Sequence, residues 1–263
     1  MSTARKGWSR EELLVTFRLY CRTPFGRLHS RNPSIIELAQ LIGRTPGAVT
    51  MKACNFASLD PHQQARNISA LGNVSRADRE LWEAFLDDSE TIAEEAEAVF
   101  LSLAGNPHEA LSAPREDIDS TAPKPPEGAT ELRSLVKTRR VQSFFREAVL
   151  ASYGSCCALT GIAVSELLNA SHIVPWSVDR TRRADPRNGI CLNALHDRAF
   201  DRGLITFDTD LRAVLSPQLR EAAQNPLHRA AFEWLEGRRL TVPMRFQPSD
   251  DALAYHRTHV FKE

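Results

Sequence analysis

Apolar positions recur at helical spacing through most of the first hundred residues. In WSREELLVTFRLY, from Trp8 to Tyr20, Ser9 stands three residues before Glu12 and an apolar run follows, which predicts a capped helix. After breaks at Pro24, Gly26 and Pro33, the stretch SIIELAQLIGRTPGAVTMKACNFASLD predicts a helix over Ser34 to Leu41, a turn centred on Gly43, and a second helix from about Pro46. Thr45 is placed to cap that second helix. Pro46 falls at its first position, where a missing N–H does no harm. Two helices about a glycine turn make a helix-turn-helix pattern. Beyond Ser75, SRADRELWEAFLDDSETIAEEAEAVFLSL keeps the helical period but is strongly acidic, with Glu80, Glu83, Asp87, Asp88, Glu90, Glu94, Glu95 and Glu97 outweighing Arg79. Such a face suits a polyanion poorly.

Between Ala104 and Ala129 the periodicity lapses and Pro, Ala, Ser and Gly accumulate. This predicts a linker over 104–128, separating an α-rich domain at 1–103 from a second domain at 129–263. The second domain opens on ELRSLVKTRRVQSFFREAVLASYG, an amphipathic helix carrying the basic residues Arg133, Lys137, Arg139, Arg140 and Arg146. β-like pieces follow around ALTG and SHIVPW, then a loop VDRTRRADPRNG, then a short helix over LNALHDRAFD that Gly203 ends. GLITFDTDLRAVLS alternates like a hairpin with its turn at Asp208 to Asp210. A helix near LHRAAFEWLEG and a terminal extended stretch complete an α+β reading.

Composition narrows the classes. The chain has 33 basic and 33 acidic residues in 263, so any polyanion must be held by local patches. The five cysteines, Cys21, Cys54, Cys156, Cys157 and Cys191, are odd in number, include an adjacent pair and form no CxxC. Neither a disulfide framework nor a cysteine-rich zinc site is supported, and a reducing, cytoplasmic setting is expected. Cys156, Cys157 and Cys191 read as small buried hydrophobes. No stretch approaches twenty apolar residues, so no membrane segment is expected.

His172 lies in ASHIVPWS, and NGICLNALHDRAFD supplies Asn188, Asn193, His196, Asp197 and Asp201. From about Cys157 to Phe207 the chain resembles the HNH, or ββα-metal, endonucleases, in the branch with the form CxxTG, AxHIxPW, then NGxxLNxxxDxxFDxGxIxF. The resemblance implies a metal-dependent DNA endonuclease. Its histidine on the first strand, His172, would be the general base. Asn188 would brace the loop that positions it, and His196, from the following helix, would be a metal ligand. The cofactor implied is a divalent cation, magnesium with manganese as the alternative, and the partner is double-stranded DNA. Cutting both strands favours a homodimer. Ser171 stands where many such sites have an aspartate ligand, which leaves it a weak metal donor. Asp197 is turned about 100° from His196 on a regular helix and Asp201 about 140°, so neither is an easy co-ligand, and Asp201-Arg202-Gly203 reads first as a helix end. Zinc knuckles that brace some members are missing, so the hairpin is expected to be held by packing alone.

In the N-terminal half, a recognition helix would present Arg44, Thr45, Thr50, Lys52 and Asn55 to DNA. Arg139, Arg140 and Arg146 read either as a solvated face or as phosphate contacts. His256 and His259, three apart, could be ligands on a helix but read first as a strand edge or surface. The branch places HNH domains behind recognition domains in bacterial restriction enzymes, some of them specific for modified DNA. The rival readings are a non-catalytic DNA-binding regulator on a degenerate scaffold, and a nuclease in homing or phage packaging.

Overall fold

The structure is a computed structural model that describes residues 7–65, 74–105, 129–221 and 226–263; nearly all of the expected linker lies outside the described residues. The chain divides into two compact units, Met1–Phe144 and Phe145–Glu263. The division falls within one long helix.

The first unit is helical: α1 (Arg10–Arg22), α2 (Pro33–Leu41), α3 (Pro46–Ala57), α4 (Pro61–Ala65), α5 (Arg76–Asp87), α6 (Ser89–Ala104) and the start of α7 (Ala129–Ser152). Ser9 and Glu12 close a reciprocal capping box on α1, and Thr45 Oγ1 caps α3 by accepting from Ala48 N. Apolar residues at i, i+4 and i+7 on α3, Val49, Ala53 and Phe56, are fully buried. Around them an aromatic cluster forms, with Phe17 edge-on to Phe56 at 5.2 Å and to Phe85 at 4.9 Å between centroids. The acidic stretch is two helices because Asp88 acts as a cap in its middle. Its carboxylate accepts from Thr91 N at 3.1 Å and from Thr91 Oγ1 at 2.7 Å. Several of those acids face α1: Glu97 meets Arg18 at 2.9 Å and Arg22 at 3.3 Å, and Glu95 meets Arg10 at 2.6 Å.

The second unit is α+β. Strand β1 (Leu168–His172) pairs antiparallel with β2 (Gly189–Asn193), from Leu168 opposite Asn193 to His172 opposite Gly189, and α8 (Ala194–Asp201) follows directly. A second two-stranded sheet joins β3 (Ile205–Phe207) to β4 (Ala213–Leu215), with Leu211 at φ 60° in the turn. Short helices α9 (Pro217–Glu221) and α10 (Pro226–Ala231) precede α11 (Asp250–Tyr255). The core gathers Phe145 and Val149 of α7, Leu168, Ile190 and Leu192 of the hairpin, and Phe200 of α8.

Two expectations are corrected here. ALTG is a tight turn, with Gly161 at φ 75° and its N–H on the Cys157 carbonyl, rather than a β piece. The terminal stretch is helical: α11 runs into one π-helical turn at His256–Val260, with acids Asp250 and Asp251 in its first turn and Ala252, Leu253 and His256 inward. Gly203, at φ 70°, ends α8 as expected, and a Cβ there would strike the Val260 carbonyl.

Candidate functional site

The two ends of the β1–β2 hairpin carry different chemistry. At the far end of β1, His172 lies flat on Phe145 of α7, with ring centroids 3.7 Å apart and planes 14° from parallel, and edge-on to Trp176. Gly189 makes this packing feasible. A Cβ at that position would lie 2.8 Å from Phe145 Cζ and closer still to Val149 Cγ2. His172 Nε2 is 3.0 Å from the Arg183 carbonyl. A carbonyl only accepts, so Nε2 carries the proton and Nδ1 the lone pair. Nδ1 has no hydrogen-bond partner among the described residues. Burial pulls this imidazole down to about 4; the bond to the Arg183 carbonyl opposes that shift and the nearby Arg183 charge adds to it.

Asn188 holds the loop that fixes this ring. Its Oδ1 accepts from Val174 N at 2.8 Å, and its Nδ2 donates to Val174 O at 3.1 Å and to Arg182 O at 3.4 Å, one residue from the carbonyl that holds His172. Arg183 Nε returns to the Trp176 carbonyl at 2.8 Å, with the guanidinium 4.8 Å over the Trp176 ring. The whole loop is thereby tied to the strand end.

The carboxylate that α8 delivers to this strand is Asp197. Ser171 Oγ donates a short hydrogen bond to Asp197 Oδ1, and Asn169 Nδ2 donates to Oδ2 at 2.7 Å. A carboxylate, a hydroxyl and an amide thus meet at the residues just before His172. These are hard oxygen donors with a single negative charge, a set that suits magnesium, which keeps much of its water and adds substrate phosphate oxygens. Among the described residues there is no group of three or more His, Cys, Asp or Glu able to hold a metal by themselves. Asp201 is exposed at the last turn of α8.

His196 does not project toward β1. It is 3% exposed, its Nε2 lies 2.9 Å from the Ala231 carbonyl, and its Nδ1 lies 3.0 Å from Asn193 Nδ2. Neither ring nitrogen is open to a metal. The reason is helical phase: His196 precedes Ala199 by three and Phe200 by four, so it lies on the buried stripe of α8, and the next residue, Asp197, is turned toward the strand. Asp197, set aside because of its angle to His196, is the acid that the structure brings to Ser171.

His196 belongs instead to a cluster at the opposite end of the hairpin. Cys157 and Thr160, three apart, meet Asn193 and His196, three apart. Asn193 Oδ1 caps α8 by accepting from Leu195 N and His196 N, which aims its NH2 at Cys157 Sγ at 3.6 Å, Thr160 Oγ1 at 3.3 Å and His196 Nδ1. Asn193 N adds a bond to Cys157 Sγ at 3.3 Å. The hairpin is therefore braced by a polar cluster as well as by packing. Burial alone would raise the Cys157 thiol, but the hydrogen-bonding groups around it, Thr160 and the Leu159 main chain among them, outweigh it and bring it to about 6. Buried Cys191, beside Cys157, is pushed up to about 12, chiefly by burial.

His256 is likewise saturated. It stacks on Phe200 at 3.9 Å, donates from Nε2 to the Phe200 carbonyl at 3.2 Å and accepts at Nδ1 from Thr206 Oγ1 at 2.9 Å. It is a core residue rather than a strand edge or surface group, and burial first of all lowers it to about 4.

The residues expected on a recognition helix are mostly engaged inside the first unit. Lys52 is buried and meets fully buried Asp78 of α5 at 2.7 and 3.0 Å, with Asn55 Nδ2 on the same carboxylate at 3.3 Å. Arg44 forks onto Glu12 at 2.7 and 3.0 Å and lies over Trp8. Thr50 bonds back to the Pro46 carbonyl, and Thr45 is exposed as the cap of α3. The exposed positions of α3 are Gly47 and Met51. On α7, Arg139 and Arg140 are half-buried, and Arg146 donates to the Ser165 carbonyl at 3.4 Å.

Residues 157–208 match the family model described as HNH endonuclease. That segment spans the CALTG turn, the hairpin, α8 and β3, and gives the chain a nuclease-type domain. No curated protein matches the chain. No helix among the described residues is long and apolar enough to cross a membrane.

Proposed function

We propose that this chain is a divalent-metal-dependent endonuclease that hydrolyses phosphodiester bonds in double-stranded DNA, with His172 as general base and Asp197 as the charged anchor of the metal. The observation that carries this reading is a contrast among three histidines. His172, His196 and His256 each give Nε2–H to a main-chain carbonyl, but only His172 keeps Nδ1 without a partner among the described residues. A neutral imidazole with one open lone pair, locked by Asn188 and Phe145, is arranged to take a proton from water attacking phosphorus. The Arg183 carbonyl, holding Nε2–H, stabilises the imidazolium so formed. Ser171 and Asn169 orient the Asp197 carboxylate. A bound cation would supply neutralisation of charge on the phosphate and on the departing 3′ oxygen.

A restriction role, including one confined to modified DNA, agrees with a separate helical unit preceding the nuclease segment, and cutting both strands would favour a dimer. The test is cleavage of plasmid DNA, unmodified or carrying methylated or hydroxymethylated cytosine, with magnesium, manganese or EDTA. Metal-dependent nicking or linearisation is expected. Retained DNA binding without cutting, under every metal, would instead identify a non-catalytic binder in which Ser171 marks a degenerate site.

A further inference from the structure

In the first unit, most cations of the described residues are spoken for. Arg10, Arg18, Arg22, Arg44, Lys52, Arg76 and Lys137 each meet an acid. Arg79 sits alone among the acids of α5, and Arg139 and Arg140 are half-buried. The connection from α1 to α2 differs from all of these in having exposed cations with no acid near them in sequence. Arg27, His29 and Arg31 are all exposed, and none of their side chains takes part in a hydrogen bond or ion pair among the described residues. From Pro24 to Ile36 there is no acid, and the first turn of α2 carries none.

The backbone that carries these three side chains is closed and fixed. Asn32 Nδ2 donates to the Arg27 carbonyl at 2.8 Å, His29 N donates to the same carbonyl at 3.0 Å, and Asn32 N donates to the His29 carbonyl at 2.9 Å. Asn32 Oδ1 meanwhile caps α2 through Ser34 N, and Leu28 is turned into the core. The turn holds its own main chain, so ordering it on a ligand costs little, while its guanidiniums are free to reach outward. Exposed arginines in an acid-free turn, with no partner among the described residues, are complementary to a phosphate backbone.

We propose that the turn Arg27–Asn32 is the phosphate-docking surface of the first unit and takes the sugar-phosphate backbone of double-stranded DNA, whereas the cations of the helix pair itself hold the fold. This rests on the endonuclease reading above. Because such contacts position a duplex without reading bases, the effect of removing them is independent of sequence.

The experiment is binding of the full chain, in EDTA, to two labelled duplexes of unrelated sequence across 50 to 200 mM salt, roughly the range over which phosphate contacts show themselves. Arg27→Ala/Arg31→Ala is expected to weaken binding roughly tenfold on both duplexes and to flatten the log-log salt slope by about 2. Arg27→Lys/Arg31→Lys keeps most of the affinity, and Arg76→Ala/Arg79→Ala, with the same loss of net charge, stays within about twofold of wild type. Melting curves check that each variant is folded. Wild-type affinity in the Arg27/Arg31 alanine pair, or an equal loss in the Arg76/Arg79 pair, overturns the proposal. If that happens while wild-type protein cuts plasmid, the endonuclease reading stands; if wild type neither binds nor cuts, both fall.

Discussion

The two ends of one short hairpin put a histidine to opposite uses. At the Leu168–Asn193 end, Cys157, Thr160, Asn193 and His196 saturate one another, and both nitrogens of the imidazole are taken. At the His172–Gly189 end the ring is as tightly held, by Phe145 and the Arg183 carbonyl, yet one nitrogen stays open. Rigidity is common to both. What separates a brace from a reactive site is whether the fixed polar atoms have already found their partners.

That comparison can be sharpened by substitution. The largest effect belongs to the open end: Asp197→Ala should lower the cleavage rate at limiting magnesium by about 100-fold or more, with partial recovery at high magnesium, in a protein that stays folded with a melting temperature lowered by the loss of the Ser171 and Asn169 hydrogen bonds. Loss of folding instead would make Asp197 part of the brace. Next comes acidification. His256 titrates near 4 in the folded chain against 6.5 as an ordinary histidine, so the unfolded chain takes up the proton first as pH falls. Its contribution is whole above about pH 6.5 and is lost as pH drops toward 4, worth about 3 kcal/mol at most. Denaturant melts across that window should show the decline, and His256→Phe should reduce it to the part that His172, also lowered to about 4, contributes. The smallest effect lies at the saturated end, where Asn193→Ala removes a cap and three side-chain contacts. A loss of about 1–2 kcal/mol in urea melts is expected, with cleavage by the folded fraction within a few-fold of wild type.

Much of this site could be read in the sequence. Periodicity located α8 and its glycine end, and the family resemblance pointed to the β1–β2 hairpin and to His172 and Asn188. What escaped was phase. His196 and Lys52 are polar residues placed three or four positions from apolar neighbours on their own helices, Ala199 and Phe200 in one case, Val49 and Phe56 in the other. Chemical type suggested a ligand and a DNA contact, while position on the apolar stripe turned both inward to buried partners. Counting spacing would have found this signal. The Cys157–Thr160–Asn193–His196 cluster was harder to see, because the two pairs lie more than thirty residues apart and meet only where the ALTG turn seats on β2, with Ala158 N donating to the Cys191 carbonyl. The terminal helix was missed although Ser249 followed by Asp250 and Asp251 has the residue types of a helix start, because its apolar run, Ala252 and Leu253, is short.

The most direct measurement sets the two motif histidines against each other in one plasmid assay with magnesium, with melting temperature read alongside. His172→Ala should lose cleavage by about 10²–10⁴-fold while staying folded, and His196→Ala should lose stability but keep cleavage in its folded fraction. The reverse result, cleavage retained by His172→Ala and abolished in folded His196→Ala, would contradict the assignment of the open nitrogen as the base and of the saturated one as the brace.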